Sequence, residues 1–220
     1  MTIRVLYNYW LVRFGIRKLL PKEIIHRIQV RECGEMMVPL SSALILTNKD
    51  VILTGRESVV RKLEAVAGFL SAHGLRLYVW ELYRTPEEQQ RRKDERCRTI
   101  IGQHPDYSDE EVATLLGKQI ANVGGGHQTG GAVDLTLCDA QGNLLDMGCA
   151  YQEHNRLTAT DSPLLTREQR HRRKLLKQAM SQQGFVNYPA EWWHYSFGDK
   201  MWAAYSHQRV AIYGEVNQLK

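Results

Sequence analysis

Two histidines, an aspartate and a glutamate are the side chains of this sequence whose types and spacing could form a hydrolytic centre. His127 lies in the glycine-rich run 124–131, Asp134 follows it closely, and Glu191 precedes His194 by three residues. Two imidazoles and one carboxylate bind zinc well and leave a fourth position open for water. A carboxylate beside that water could take its proton as general base. The four residues together indicate metal-dependent hydrolysis.

Each of these residues also has a purely structural explanation. A histidine in a glycine loop can simply hydrogen-bond the backbone, and Asp134 can pair with a lysine. His194 lies between aromatic residues and could be a core histidine, and Glu191 could be a surface acid. Taken singly, the structural explanations are the stronger ones. Their joint occurrence favours a site.

Two strands are expected to position the three ligands. Residues 132–137 alternate, so that Val133 and its neighbours at 135 and 137 share one face while Asp134 points from the other. Residues 191–197 predict a second strand, rich in aromatic side chains. In a regular strand Glu191 and His194 would face opposite ways. We therefore expect Glu191 at a bend after Pro189, with only His194 on the strand proper.

Arg84 is the candidate for stabilising an oxyanion. The alternating run 75–80 predicts a strand, and Thr85 with Pro86 and Glu88 forms a helix start of the capping-box type. Arg84 thus lies at the end of a strand, just before a helix. A cation there could face the metal and stabilise the charge that forms when water attacks a carbonyl.

The remaining pattern predicts an α+β domain, with a small antiparallel sheet carrying the zinc site on one face and helices on the other. Residues 1–26 are predicted to form one or two helices that end around Pro21. Residues 1–27 could form an N-terminal helical extension of the domain. Helices are also expected from Ser58 to Gly74, after Ser108 with Glu111 as capping partner, and from Thr166 to Gly184. The turn 139–143 and the run 144–147 predict a hairpin with a return strand. Residues 149–164 read as loop.

Length and composition favour one soluble domain spanning 1–220. The net charge is +5, and the basic runs 91–93 and 170–174 fall in helical segments, where a solvated helix face is the simpler explanation than nucleic-acid binding. No apolar run reaches the roughly 20 residues of a membrane span. The N-terminal segment lacks the pattern of a signal peptide, so we expect a cytoplasmic protein, with the periplasm as the alternative. The sequence does not fix the oligomeric state.

The four cysteines form no Cys-x-x-Cys pair, so they suggest neither a thiolate zinc site nor a redox motif. Their even number leaves disulfides open. They are Cys33, Cys97, Cys138 and Cys149.

The motifs His127-x-x-Gly130-x-Ala132-x-Asp134 and Glu191-x-x-His194 resemble those of the zinc peptidases of family M15 that cleave D-alanyl-D-alanine, specifically the VanX-like dipeptidases. The likeness covers roughly residues 30–200, including Gly74 to Arg84 and Gly184-Phe185. It implies the D-Ala-D-Ala metallopeptidase (hedgehog-like) fold and one Zn²⁺ ion. By this resemblance His127, Asp134 and His194 would be the ligands, Glu191 the general base, and Arg84 the residue that stabilises the tetrahedral intermediate.

Departures from the family pattern concern the substrate. Gly125 stands where the family commonly has a serine, and Glu81 with Thr85 replaces the usual Asp and Pro around the arginine. The position of the aspartate that holds the substrate's amino group in these dipeptidases corresponds to Gln152, with Glu153 adjacent. Since a desolvated ammonium needs a carboxylate partner, either Glu153 substitutes or the substrate is not the free dipeptide. Tyr83 and Trp192 are further candidate substrate contacts.

The predicted function is zinc-dependent hydrolysis of a short peptide containing D-amino acids, most simply D-Ala-D-Ala. A carboxypeptidase or an endopeptidase acting on peptidoglycan stem peptides is the first alternative. A zinc-bearing binding module without turnover is the second, and the presence of both Glu191 and Arg84 argues against it.

Overall fold

A five-stranded sheet lies at the centre of the computed structural model, which describes residues 19–119 and 125–216 together with Tyr7, Leu11 and Val12. The strands are β1 (Gln29–Val30), β2 (Met37–Pro39), β3 (Ile45–Leu46), β4 (Thr54–Arg56), β5 (Arg76–Glu81), β6 (Ala132–Cys138), β7 (Val186–Asn187), β8 (His194–Ser196) and β9 (Val210–Ala211). The helices are α1 (Lys22–His26), α2 (Glu57–Ser71), α3 (Pro86–Gln103), α4 (Asp109–Gln119), α5 (Arg167–Gln182) and α6 (Lys200–Tyr205), with a 3₁₀ helix at Gly126–Thr129. These elements confirm the α+β class.

The order of strands in the sheet is β3-β5-β6-β8-β7, antiparallel throughout except that β3 runs parallel to β5. On the central strand β6, Asp134 pairs with Glu81 of β5 on one side and with His194 of β8 on the other. The register of β5 shifts between Val79 and Glu81. Directly opposed residues of neighbouring strands lie about 5 Å apart. The register therefore sets three ionisable side chains in a row across three strands.

The apolar face of β6 packs into the hydrophobic core, as the alternating sequence of this strand predicted. Val133, Leu135 and Leu137 are fully buried there. Helix α2 packs on this layer through its apolar face. The apolar residues of this face recur at helical spacing, which makes the helix amphipathic. The buried residues of that face are Val59, Val60, Leu63, Val66, Ala67 and Leu70. This packing leaves the opposite face of β6 free to hold the polar residues of the site.

The predicted helix starts are present, although the Glu88 carboxylate binds Arg91 and Arg92 instead of completing a capping box with Thr85. Thr85 accepts a hydrogen bond from the backbone of Glu88 at the start of α3, and Thr166 with Gln169 forms a capping box on α5. Ser108 donates to the Glu111 carboxylate before α4. The bend at Glu191 is also present, since β8 begins only at His194. Residues 149–164 contain neither helix nor strand.

Two predicted elements differ in the structure. The return strand 144–147 is reduced to a single bridge between Leu144 and Cys138, because the Asp146 carboxylate accepts from the Gly148 amide and turns the chain away. Within the stretch 1–26 that was expected to be helical, Tyr7, Leu11 and Val12 are helical, and α1 begins after Pro21, where the prediction placed the end. Most of the expected helical stretch 1–20, like Gly124 of the glycine run, lies outside the described residues.

A buried arginine joins distant parts of the chain beside the site. The guanidinium of Arg56 donates to the carbonyls of Thr129, Glu35 and Gly214 and pairs with the Glu32 carboxylate. Nearby, β1 and β9 form a parallel two-stranded sheet. The 3₁₀ helix that carries His127 is thus anchored to segments from both ends of the described chain.

All four cysteines are free, which settles the disulfide question for this structure. Among the helices in the described ranges, none has the length and apolar character that crossing a bilayer requires.

Candidate active site

His127, Asp134 and His194 converge, and each offers a ligand atom within 4.8 Å of the others. The Oδ1 atom of Asp134 lies 3.3 Å from Nε2 of His127 and 2.8 Å from Nδ1 of His194. Burial raises the pKa of the Asp134 carboxyl, but the two imidazoles outweigh it and hold that pKa well below its usual value. Asp134 also keeps the pKa of His194 above its ordinary value, although burial acts in the other direction.

The orientation of His127 is fixed by the backbone on both sides. Its Nδ1 atom lies 2.7 Å from the carbonyl oxygen of Leu82, which leaves Nε2 to face Asp134. Its own carbonyl accepts from the amide of Arg84 at 3.1 Å. The segment that follows β5 therefore positions both the first histidine and the candidate arginine.

A glycine is required at position 126 because the chain there passes against a buried carboxylate. A Cβ atom at Gly126 would lie far inside contact distance of Oδ2 of Asp199 and 2.9 Å from the Cβ of Ala132. Asp199 is held in turn, since it accepts from Ser196 Oγ and from the amide of Trp202 at 2.7 Å each. Asp199 is buried, which raises its pKa. The glycine run is thus shaped to fit this side chain.

Glu191 lies at the cavity wall, where burial raises the pKa of its carboxyl. The tight bend that holds it is fixed by hydrogen bonds, from the Glu191 amide to the Tyr188 carbonyl and from the Asn187 side chain to the Glu191 carbonyl. A carboxyl with a raised pKa accepts a proton more readily near neutral pH than a solvated one does.

Arg84 is held by a second cluster of charges that the sequence analysis did not identify. Its Nε atom donates to the Glu81 carboxylate at 2.9 Å, Nη2 pairs with the same carboxylate, and Nη1 donates to Gln89 at 2.6 Å. Arg92 binds Glu81 as well, at 2.9 Å. Burial raises the pKa of Glu81, but the hydrogen bond and charge of Arg84, with the charge of His127, outweigh it and lower that pKa. The arginine is therefore oriented by a buried, ionised partner.

Tyr151 lies between the two clusters. Its hydroxyl donates to Asp134 Oδ2 at 2.9 Å and lies 3.3 Å from Glu81 Oε2. Its ring stacks on Trp80, with centroids 4.3 Å apart and planes 4° from parallel. The ring of Trp193 is nearly perpendicular to that of Tyr151, with centroids 5.7 Å apart. Sequence reasoning missed Tyr151, because a lone tyrosine in a loop gives no signal of its partners.

A cavity of about 570 Å³ surrounds these groups. His127, Asp134, His194, Glu191 and Arg84 all line it. On one side it extends to α1, β1 and α6, through Lys22, Ile25, His26, Val30, Lys200 and Met201. On the other it reaches α3 and the loop after β6, through Arg92, Glu95, Arg96, Thr99, Gln152 and His154. The cluster thus lies in a cavity that residues of α1, α3, α6 and β1 also line.

The candidate substrate contacts fall into two groups. Gln152 lines the cavity, with a backbone φ of 60°. Glu153 is exposed, and its carboxylate accepts from the Ala150 amide at 3.0 Å. Tyr83 donates to the Val216 carbonyl, and Trp192 is buried against Trp80. Within the described ranges, Gln152 is the member of this set that lines the cavity.

The three converging residues fit a zinc ion by their own chemistry. Two imidazole nitrogens and one carboxylate oxygen are ligands that zinc prefers. The other ring nitrogen of His127 is bonded to a backbone carbonyl, the outer contact that orients metal-binding histidines. Both imidazoles face the same oxygen of the Asp134 carboxylate, Oδ1.

Comparison with known sequences gives matches to D-alanyl-D-alanine dipeptidases. A family model of the M15 peptidases, described as D-Ala-D-Ala dipeptidase, matches residues 43–212. A D-alanyl-D-alanine dipeptidase of Synechocystis is 37% identical over 107 residues, 41% of this chain and 43% of that protein. Another, of Escherichia coli, is 32% identical over 122 residues, 56% of this chain and 55% of that protein. The chain spans about half the length of these relatives.

Two solved structures are also similar. One is the vancomycin-resistance D,D-pentapeptidase VanY in complex with Zn(II), at 18% identity and a TM-score of 0.49, covering 79% of this chain and 90% of that one. The other is the LdcB LD-carboxypeptidase, at 17% identity and the same TM-score, covering 81% of this chain and 74% of that one.

Proposed function

The chain belongs to the D-Ala-D-Ala dipeptidase family of M15 peptidases, and from that premise we propose that it hydrolyses the dipeptide D-Ala-D-Ala. The family is one of zinc peptidases, so the enzyme class and the cofactor expected from the sequence are those of the family. The observation that carries the proposal is the convergence of His127, Asp134 and His194 in one cavity with Glu191 and Arg84.

In this proposal His127, Asp134 and His194 hold the zinc ion. When bound, zinc supplies Lewis acidity, which makes a water molecule more acidic and a carbonyl more electrophilic. Glu191 takes the proton of the attacking water and passes it to the leaving amine, a role favoured by its raised pKa. Arg84, aimed by Glu81 and Gln89, places its remaining N–H groups towards the negative charge that develops on the carbonyl oxygen.

Substitution of the base tests this assignment. In Glu191→Gln the amide keeps the shape of the side chain but cannot accept the proton, so kcat for D-Ala-D-Ala should fall about 100- to 10,000-fold. The measurement is release of free D-alanine by the zinc-loaded protein. Glu168→Gln, on the exposed side of α5, is the matched control and should keep wild-type activity. Wild-type turnover by Glu191→Gln would exclude Glu191 as the base.

A longer peptide is the second candidate substrate, favoured by the size and lining of the cavity. A dipeptide of this kind fills roughly 150–180 Å³ if it packs like five or six waters of about 30 Å³ each, whereas the cavity measures about 570 Å³. Gln152 lines the cavity while the Glu153 carboxylate is bonded to a backbone amide. A neutral amide suits an acylated amino end better than a free ammonium.

Parallel assays on D-Ala-D-Ala and on a stem pentapeptide ending in D-Ala-D-Ala separate the two candidates. A dipeptidase should have the higher kcat/KM on the dipeptide. Preference for the pentapeptide would assign carboxypeptidase or endopeptidase activity, and the position of the cut would tell which. The bond of the Glu153 carboxylate to the Ala150 amide argues against a role as ammonium partner, and in that case Glu153→Ala should leave dipeptide hydrolysis unchanged. A large rise in KM would instead give Glu153 the role of ammonium partner.

A further inference from the structure

The hydroxyl of Tyr151 contacts both charged clusters of the site, and the reaction described above assigns it no task. It donates to Asp134 Oδ2 at 2.9 Å and lies 3.3 Å from Glu81 Oε2. Its ring stacks on Trp80 with centroids 4.3 Å apart and contacts the nearly perpendicular ring of Trp193 at 5.7 Å. These two contacts restrict the ring and so position the hydroxyl.

The two carboxylate oxygens of Asp134 therefore have different partners. Oδ1 faces the imidazoles of His127 and His194, at 3.3 and 2.8 Å. Oδ2 points the other way and is occupied by the Tyr151 hydroxyl. A carboxylate on a strand could otherwise rotate to present either oxygen or both.

A tyrosine hydroxyl carries one proton, so it can satisfy only one carboxylate fully. Glu81 already accepts from Arg84 and Arg92. Asp134 Oδ2 has the shorter contact with the hydroxyl, at 2.9 Å against 3.3 Å for Glu81. The Tyr151 hydroxyl therefore donates its hydrogen bond to Asp134.

We propose that Tyr151 is a positioning residue of the metal site, which holds Asp134 so that it binds zinc through Oδ1 alone. The proposal rests on His127, Asp134 and His194 being the ligands, as in the proposed function. Outer-shell hydrogen bonds to metal-ligating groups typically contribute 10- to 100-fold in metal affinity.

The test is the zinc affinity of Tyr151→Phe, measured by competition with a chromophoric chelator. Phenylalanine keeps the ring and its contacts with Trp80 and Trp193 and removes only the hydroxyl. We expect zinc to bind about 10-fold more weakly. The control is Tyr205→Phe, whose lost hydroxyl accepts from the Leu20 amide near α1. Its zinc affinity should equal that of the wild type.

A second readout reports the coordination itself. Cobalt(II) in place of zinc has visible absorption that depends on the number and geometry of its ligands. Freed from Tyr151, Asp134 can bind through both oxygens, so the spectrum of cobalt-loaded Tyr151→Phe should differ from that of the wild type. A residue that only stabilised the fold would lower the melting temperature and leave this spectrum unchanged.

Unchanged zinc affinity together with an unchanged cobalt spectrum in Tyr151→Phe would overturn the proposal. If that variant does not fold, 3-fluorotyrosine at position 151 keeps ring and hydroxyl but makes the hydroxyl a stronger donor, and unchanged affinity there would overturn it equally. A wild-type protein that binds no zinc would instead contradict the proposed function.

Discussion

At the scale of single residues, the site depends on side chains that are each held by a second one. Arg84 is the clearest case, because its guanidinium binds Glu81 through two nitrogens and Gln89 through the third. A planar fork of five donors can make these contacts and still face a substrate, whereas an ammonium group cannot.

Arg84→Lys should therefore lose activity although it keeps the charge. Removal of one donor to a developing oxyanion costs about 100- to 1,000-fold in kcat in other enzymes, and we expect a loss of this size with zinc affinity unchanged. The measurements are steady-state kinetics and chelator competition. Arg61→Lys, at an exposed position of α2, serves as control. Full activity in Arg84→Lys would show that charge alone suffices.

Gly126→Ala should destabilise the protein, because the added methyl group would clash with the buried Asp199 carboxylate. Overpacking of this kind costs about 1–3 kcal/mol. Gly68→Ala provides a control of opposite sign, since a Cβ there meets nothing within 4 Å and alanine favours a helix over glycine by about 1 kcal/mol. Denaturant unfolding measures both. Equal stabilities would contradict the packing argument at position 126.

At the scale of elements, the first turn of α3 carries an ion cluster whose pH dependence has a definite sign. Arg91 and Arg92 bind the Glu88 carboxylate. The hydrogen bond from Arg91 is the largest cause that lowers the pKa of Glu88 to about 2 from 4.5. A carboxyl with a pKa lowered in the folded state stabilises that state above the unfolded pKa and loses the effect as pH falls.

The free energy of unfolding of the wild type, minus that of Glu88→Gln, should thus be constant above pH 5 and decrease between about pH 4.5 and 2. The difference should be small, because the pair is partly exposed and solvent screens it. Chemical denaturation at several pH values measures it. A difference that grew towards low pH would reverse the assigned sign.

Elements with a strong local signal could be predicted from the sequence, and those fixed by distant partners could not. The caps at Thr85 and Thr166 and the alternation of β6 are encoded within a few residues, and they form as expected. The run 144–147 has the composition of a strand, but the hydrogen bond from Gly148 to Asp146 bends it away.

The same distinction holds for the site. His127, Asp134 and His194 stand in recognisable motifs, and the structure brings them together. Tyr151 donates to Asp134 on β6, and the Asp199 carboxylate lies against Gly126, and no local sequence pattern reports either contact. Trp192, a candidate substrate contact, is buried, with its indole ring 6.0 Å from that of Trp80.

At the scale of the whole molecule, the site gathers segments from nearly the full described length. Lys22 of α1 and Gly214 beyond β9 line the same cavity as the ligands on β6 and β8. The N-terminal segment, expected as a helical extension, therefore contributes to the wall of the site through α1. A ligand that joins His127 to His194 also joins the elements that carry them.

Zinc should accordingly raise the stability of the entire chain. An ion that binds only the folded state stabilises it by about 2.7 kcal/mol at a concentration 100 times its Kd. The melting temperature should rise on addition of zinc and fall after chelation. Asp134→Asn, which weakens the ligand set, should show little of this shift. A shift of wild-type size in Asp134→Asn would place the bound ion elsewhere.

The aromatic residues beneath the site also give it an optical property. Trp80 stacks on Tyr151, while Trp192 lies 6.0 Å from Trp80 and 5.4 Å from Trp193 at nearly right angles. Indole rings this close couple their electronic transitions and produce circular dichroism in the near ultraviolet. Because the Tyr151 hydroxyl donates to Asp134, we expect binding of a metal ion at Asp134 to change this signal. Near-ultraviolet circular dichroism would then follow occupancy of the centre with neither substrate nor added dye.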